Sequence, residues 1–174
     1  DNSDGHAWRL GLTRPFFALD TRWSAGIDGL DQIQRAQRYR GGEIVARYEH
    51  SQRGLNLLYG WSSGLVNGWT QRFSVGTSFD EHRFASVAPI DGFGTTVLPD
   101  DRTLVYPWIG YELVQDRFIV EHNRDQIGRA EDVLLGWHAY ARLGLATEAF
   151  GSDRRAWVYS GALSYGGRPD EANA

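Results

Sequence analysis

The stretch YGWSSGLVNGWTQRFSV, residues 59–75, sets an Asn-Gly pair between two runs that alternate apolar and polar. Asn-Gly so flanked is a strong hairpin signal, because both residues tolerate the positive φ of a type I′ turn. Before the turn, Leu55, Leu57, Tyr59 and Trp61 share one face, opposite Asn56, Leu58, Gly60 and Ser62. After it, Trp69, Phe73 and Val75 oppose Thr70, Arg72, Ser74 and Gly76. One face is therefore large and greasy, and the other is small and polar.

The same two-residue period recurs along the chain. AWRLGLT sets Trp8, Leu10 and Leu12 against Arg9, Gly11 and Thr13. TLVYPWIGYEL sets Val105, Ile109, Tyr111 and Leu113 against Trp108, Gly110 and Glu112. DVLLGWHAYARLGL and RAWVYSGALSY behave alike, and no segment carries a convincing helical period. Twenty-one Gly and an aromatic content of 13% point the same way, since Gly breaks helices and Trp, Tyr and Phe favour strands. The pattern predicts strands at roughly 6–14, 17–28, 46–63, 68–81, 102–113, 116–127, 131–146 and 153–166. Gly54 is read as lying within the third strand. The segments 29–45 and 82–101 are read as long loops, opposite an end with short turns.

The chain of 174 residues is read as a single domain. A net charge of −4 with no basic block argues against nucleic acid, and the absence of Cys excludes disulfides and thiolate metal sites. The mean hydropathy of −0.45 does not itself demand a membrane, and no apolar run nears the ~18 residues of a spanning helix. The predicted strands do match the ~9–11 residues that cross a bilayer when tilted. Trp and Tyr cluster near their ends, and the large apolar side chains exceed what the interior of a small barrel holds. The fold class expected is thus an all-β, antiparallel up-and-down transmembrane β-barrel with about eight strands in this chain. Arg9, Asp20, Arg22, Arg72, Glu112, His138 and Arg142 then face the lumen, where charges pair or meet water. Phe16, Phe17, Trp23, Trp61, Trp69, Trp137 and Trp157 form the lipid-interface aromatics. Pro107 predicts a local bulge.

The segments RPFFALDTRWSAG, YGWSSGLVNGWTQRFSVGTSFDEHRF, YELVQDRF and IGRAEDVLLGWHAYARLG resemble barrel segments of bacterial surface antigens of the BamA/TamA type, over most of residues 8–165. The resemblance implies a sixteen-stranded outer-membrane barrel that helps insert or move other proteins. Its partners would be outer-membrane lipid or lipopolysaccharide, client proteins and periplasmic domains of the same chain. The family's Arg-Gly-Tyr/Phe loop motif is absent, and the chain ends GGRPDEANA rather than in a strand with a terminal aromatic. Both departures fit the first half of such a barrel.

The candidate chemistry is sparse. His122 follows Glu121 near Asp116, and DEHRF crowds Asp80, Glu81 and His82. Ser62, Ser74, Ser160 and Ser164 are nucleophiles only beside a base held by a carboxylate. No HExxH spacing occurs, so neither catalytic residue, metal nor cofactor is expected, and the role is structural or client-handling. The alternatives are a complete eight-stranded outer-membrane barrel, structural or lipid-modifying, and a soluble lipocalin-like ligand-binding barrel.

Overall fold

The structure, a computed structural model, describes residues 5–88, 98–122 and 130–167. Among the described residues nine strands follow in order: β1 (Gly5–Arg14), β2 (Trp23–Arg40), β3 (Glu43–Val66), β4 (Trp69–Ala88), β5 (Arg102–Gln115), β6 (Phe118–His122), β7 (Ala130–Leu134), β8 (Gly136–Ala146) and β9 (Ala156–Gly166). A 3-10 turn at Glu148–Phe150 is the one helical element among the described residues. The main sheet is antiparallel throughout, with seven strands in the order β1-β2-β3-β4-β5-β8-β9, while β6 and β7 form a separate two-stranded sheet. It is an up-and-down sheet that does not close among the described residues, where β1 and β9 are its two edges.

The hairpin at Asn67-Gly68 is as the sequence predicts, with φ of 51° and 79° in a turn joining β3 to β4. Just before it, one extra residue on β3 shifts the β3–β4 register between Ser62 and Leu65, so that Ser63 and Gly64 together stand opposite Gln71. The Ser62 hydroxyl holds this bulge together, donating to the Gln71 carbonyl at 2.8 Å and accepting from the Gly64 amide at 2.9 Å. That accounts for a fully buried serine, because both of its hydrogen-bonding roles are filled.

Several expectations need correction. Residues 29–45 are not a loop. β2 and β3 run through them, pairing from Gly29↔Leu55 to Arg40↔Glu43 around a turn at Gly41-Gly42. This region is polar on both faces, so it lacks the alternation by which a half-buried strand is recognised. Of 82–101, residues 82–88 continue β4, 98–101 are connection, and 89–97 lie outside the described residues. The second strand begins at Trp23 rather than 17. Ala18 to Thr21 form a turn instead, closed by Thr21 N–H to the Ala18 carbonyl (3.2 Å) and Ala18 N–H to the Thr21 hydroxyl (3.0 Å). This local bonding by a Thr side chain displaces a period that reads as strand. Of the strand expected over 116–127, Phe118–His122 form β6 and leave the main sheet while 123–127 lie outside the described residues, and 131–146 divides at Leu135 into β7 and β8. Long connections consequently lie at both ends of the sheet, not one. Pro107 forms no bulge: the β4–β5 register passes through Thr77↔Pro107 unbroken, and the β5–β8 ladder begins one residue later, at Trp108.

Strand register sorts the side chains into two faces. Rows across the sheet read Trp23–Trp61–Phe73–Tyr111–Ala141–Gly161 and Ala25–Tyr59–Val75–Ile109–Leu143–Tyr159 on the first. On the second they read Ser24–Gly60–Ser74–Gly110–Arg142–Ser160 and Asp28–Asn56–Ser78–Tyr106. The apolar face is open: Leu10 is 83% exposed, Tyr159 79% and Leu57 39%. On the polar face Ser24, Ser62, Thr70 and Ser78 are buried.

The sheet curls toward its polar face. Arg142 lies three strands from β3 and, through Gly110 and Ser74, level with Gly60, four residues from Asn56. On a flat sheet the Arg142 and Asn56 Cα atoms would be ~20 Å apart, whereas an Arg and an Asn joined by a hydrogen bond span ~13 Å. The Arg142 guanidinium nevertheless donates to Asn56 Oδ1 at 3.3 Å. Curvature closes the gap.

Candidate functional site: the polar face

The polar face carries two hydrogen-bonded clusters inside the level of the apolar rows and a third beyond them. The first sits near the Asn67-Gly68 end. Arg72 on β4 donates to Glu112 Oε2 at 3.1 Å, and the His138 ring on β8 meets Glu112 Oε1 at 2.9 Å. One carboxylate therefore joins three strands, because Arg72 and Glu112 are direct cross-strand partners and His138 lies diagonally across. The β1–β2 connection folds over this cluster. Phe16 lies against Gly60, where an added Cβ would come within 2.8 Å of the ring, and the Arg72 guanidinium stands 4.9 Å above it. Arg72 also donates to the Ala18 carbonyl (3.2 Å), and the Thr70 hydroxyl to the Leu19 carbonyl (3.1 Å). Glycine at position 60 is needed here for close approach rather than for its φ.

The second cluster surrounds Arg142, whose guanidinium stacks 3.7 Å from the Trp108 ring and donates to Ser78 Oγ at 2.7 Å. Ser78 in turn donates to Asn56 Oδ1 at 2.8 Å. The buried Trp108 indole lies over Gly76, where a Cβ would overlap it. A large aromatic thus lies flat along the curled face because its cross-strand neighbour has no side chain. Arg9 borders a cleft of about 320 Å³ with Asp28, Asn56, Ser78, Tyr106 and Arg142. The third cluster joins His50, His82, Asp80 and Arg102 where β3 and β4 rise past the start of β5.

Of the polar residues singled out from sequence, Arg9, Arg72, Glu112, His138 and Arg142 share the polar face by register, and Arg72, Glu112 and His138 meet directly. Asp20 and Arg22 do not belong to that strand face. Both are exposed in the β1–β2 connection, where Arg22 donates to the Ser63 carbonyl and lies beside Gly64. Among the aromatics, Trp23, Trp61, Trp137 and Trp157 stand exposed on the apolar face, and Trp69 shares that face half-buried opposite Gln115. Phe17 is exposed in the connection beside Arg14. Phe16 is the exception, since it turns onto the polar face as described.

Sequence reasoning missed His50, which meets His82 from across the β3–β4 ladder. The Asp80 and His82 of the DEHRF segment do converge, but Glu81 points to the other face, toward Arg53 and Arg83. The His122 side chain lies outside the described residues. No Ser or Thr hydroxyl among the described residues bonds an imidazole nitrogen, and no three His, Asp or Glu are grouped to take a metal ion. Clusters of charges tied to one another hold strands together, whereas nucleophilic chemistry needs a base aimed at a hydroxyl. Comparison with known proteins yields no matching family model, no matching curated protein and no matching solved structure.

Proposed function

We propose that this chain forms part of the wall of an outer-membrane β-barrel, with a structural or client-handling role rather than a catalytic one. One observation carries the reading: the sheet's polarity is inverted relative to a water-soluble barrel. Every outward side chain from Leu55 to Trp61, Phe73 to Phe79, Val105 to Leu113, Trp137 to Leu145 and Trp157 to Tyr165 is uncharged. Over the same levels the curled-in face carries Arg72, Glu112, His138 and Arg142. Soluble proteins seldom leave so large a continuous apolar surface open to water. In lipid, an outward Arg at the midplane would cost ~2–4 kcal/mol, so exclusion of charge from this face is what a bilayer demands.

Dimensions agree. The eight steps from Val105 to Leu113 span ~27 Å of strand, or ~21 Å at a tilt near 40°, close to the ~25 Å apolar band of such barrels. Aromatic residues crowd one end of the band at Trp23, Trp61, Trp69 and Trp137. Just past Leu55 and Phe79, the outward row becomes Asp31–Arg53–Glu81, and the extension of β2, β3 and β4 is polar.

A wall segment fits better than a complete eight-stranded barrel. With seven alternating strands, β1 and β9 run in the same direction, so joining them directly would need a parallel seam. An antiparallel wall closes only if further strands, odd in number, pair with both edges. The bacterial surface-antigen resemblance supports the same arrangement, and its protein-assembly role is the specific activity we propose.

The test is tryptophan quenching after reconstitution into phosphatidylcholine vesicles carrying brominated acyl chains. Strong quenching is expected, and the quenched signal should shrink but persist when Trp61 and Trp137 are replaced by Phe, because Trp8, Trp23 and Trp157 stand exposed on the same face. A chain that stays monomeric in buffer without detergent and escapes quenching would overturn the reading.

A further inference from the structure

The third cluster lies beyond the apolar band, on the curled-in face of the extension, and the wall reading gives it no role. His50 on β3 and His82 on β4 approach with Nε2 of His50 2.8 Å from Nδ1 of His82. Nε2 of His82 meets Asp80 Oδ1 at 3.1 Å, and the other Asp80 oxygen accepts from Arg102 of β5 at 3.0 Å. Phe84 covers His50 from the far side, its ring stacked at 4.6 Å and 6°. A single chain of bonds therefore runs from β3 through β4 to β5.

We propose that the His50–His82 pair is a proton-sensitive clasp, which fixes the β3–β4 extension to β5 near neutral pH and releases it when both rings are protonated.

The reason is proton counting. A bond between two ring nitrogens needs a proton on one and a bare lone pair on the other. When both rings carry both protons, no acceptor remains, the bond is lost and two cations face each other. The charged groups around the pair do not reverse this. Asp80 carries one negative charge and already serves Arg102, whose guanidinium adds a third positive charge. Asp101 accepts from the Phe84 amide and pairs with Arg83. The neighbours Gln34 of β2 and Gln52 of β3 carry no charge, and Tyr48 of β3 lies against the Phe84 ring. Consistently, partial burial, then His82 and Arg102, hold the His50 imidazole below its usual value. Neutral His50 therefore favours the clasped state. Its contribution is complete above the ordinary His range near 6.5 and is lost as pH falls through that range toward the lowered folded value.

The experiment is residue-resolved amide exchange on the whole chain, at pH 7.5 and 5.0, corrected for the intrinsic rate. It is run in detergent micelles, or in plain buffer if the chain proves water-soluble, so it does not depend on the membrane reading. Protection of residues 48–52 and 82–84 should fall by up to ~10-fold per pH unit for each proton taken up on release. Residues 57–61 serve as the reference and should change little. Equal protection at both pH values in the native chain would overturn the clasp, whatever the variants do. His82→Gln should abolish the pH response while leaving the reference strands protected; an undiminished response in that variant would also overturn it.

Discussion

Strands β2, β3 and β4 each pass through two regions with different rules. Below the row Asp31–Arg53–Glu81, one face of these strands is apolar and uncharged and the other is hydrogen-bonded and partly buried. Above it, Arg35 faces Glu49, Gln34 faces His50 and Gln32 faces Gln52, with polar groups on both sides of the sheet. The backbone ladder is continuous through both. A strand therefore does not need alternation to exist. Alternation is the imprint of an environment that differs across the sheet, and it stops where both sides meet water.

Substitutions at matched outward positions in the two regions break this comparison most sharply. Leu57→Arg places a cation in the apolar band and should destabilise the chain in lipid by ~2–4 kcal/mol. Ile33→Arg, outward in the extension, should change stability by less than ~0.5 kcal/mol. Urea unfolding in phosphatidylcholine vesicles reads both, and equal costs would remove the distinction between the regions.

Within the band, the polar face tolerates little added volume. Gly76→Val sets a branched side chain where the Trp108 indole lies and should cost ~1–3 kcal/mol by forced repacking. A weakened near-ultraviolet signal from Trp108 should accompany the loss. Gly41→Val, at the exposed tip where no atom stands within 4 Å, provides the steric contrast, although its φ of 60° adds backbone strain there.

The charge clusters give a smaller effect. Arg72→Ala takes one partner from Glu112 and a donor from the Ala18 carbonyl. A double-mutant cycle with Glu112→Gln should return a coupling of ~0.5–3 kcal/mol, as expected for contacting residues. Arg53, whose distances to Asp31 and Glu81 are 3.8 and 4.0 Å, should show coupling below ~0.5 kcal/mol in the corresponding cycle.

The smallest effect lies at the β8–β9 connection. The Arg154 bond, followed by the Thr103 amide, holds the Asp153 carboxyl below its usual value. The ionised form thus favours the folded connection above the ordinary Asp range, and this contribution fades as pH falls through the lowered value. After correction for the intrinsic exchange rate, protection of the Thr103 amide should fall on acidification in the native chain, and Asp153→Asn should flatten that dependence.

Much of the band was legible from the sequence. Leu55 to Trp61 and Phe73 to Phe79 face outward as their period requires, and Asn67-Gly68 makes the expected turn. Reading Gly54 as part of a long strand also holds, since it pairs with Leu30 and Asp80. The Phe16 position was not legible. Its alternation matches a strand, but the turn at Ala18–Thr21 carries it onto the opposite face. Nor was the meeting of His50 with His82, which depends on register between strands and not on spacing within one.

What the sequence determined by itself is which residues share a face, because successive strand side chains must point to opposite sides. It also determined the tight turn, because few residues accept positive φ. Only the tertiary structure decided that β5 pairs with β8 past the β6–β7 hairpin, that the sheet curls until Arg142 reaches Asn56, and that β1 and β9 remain edges. Backbone amides and carbonyls are the same at every residue, so a ladder carries no local record of its partner. Partner, register and curvature emerge only when distant side chains pack and bond together.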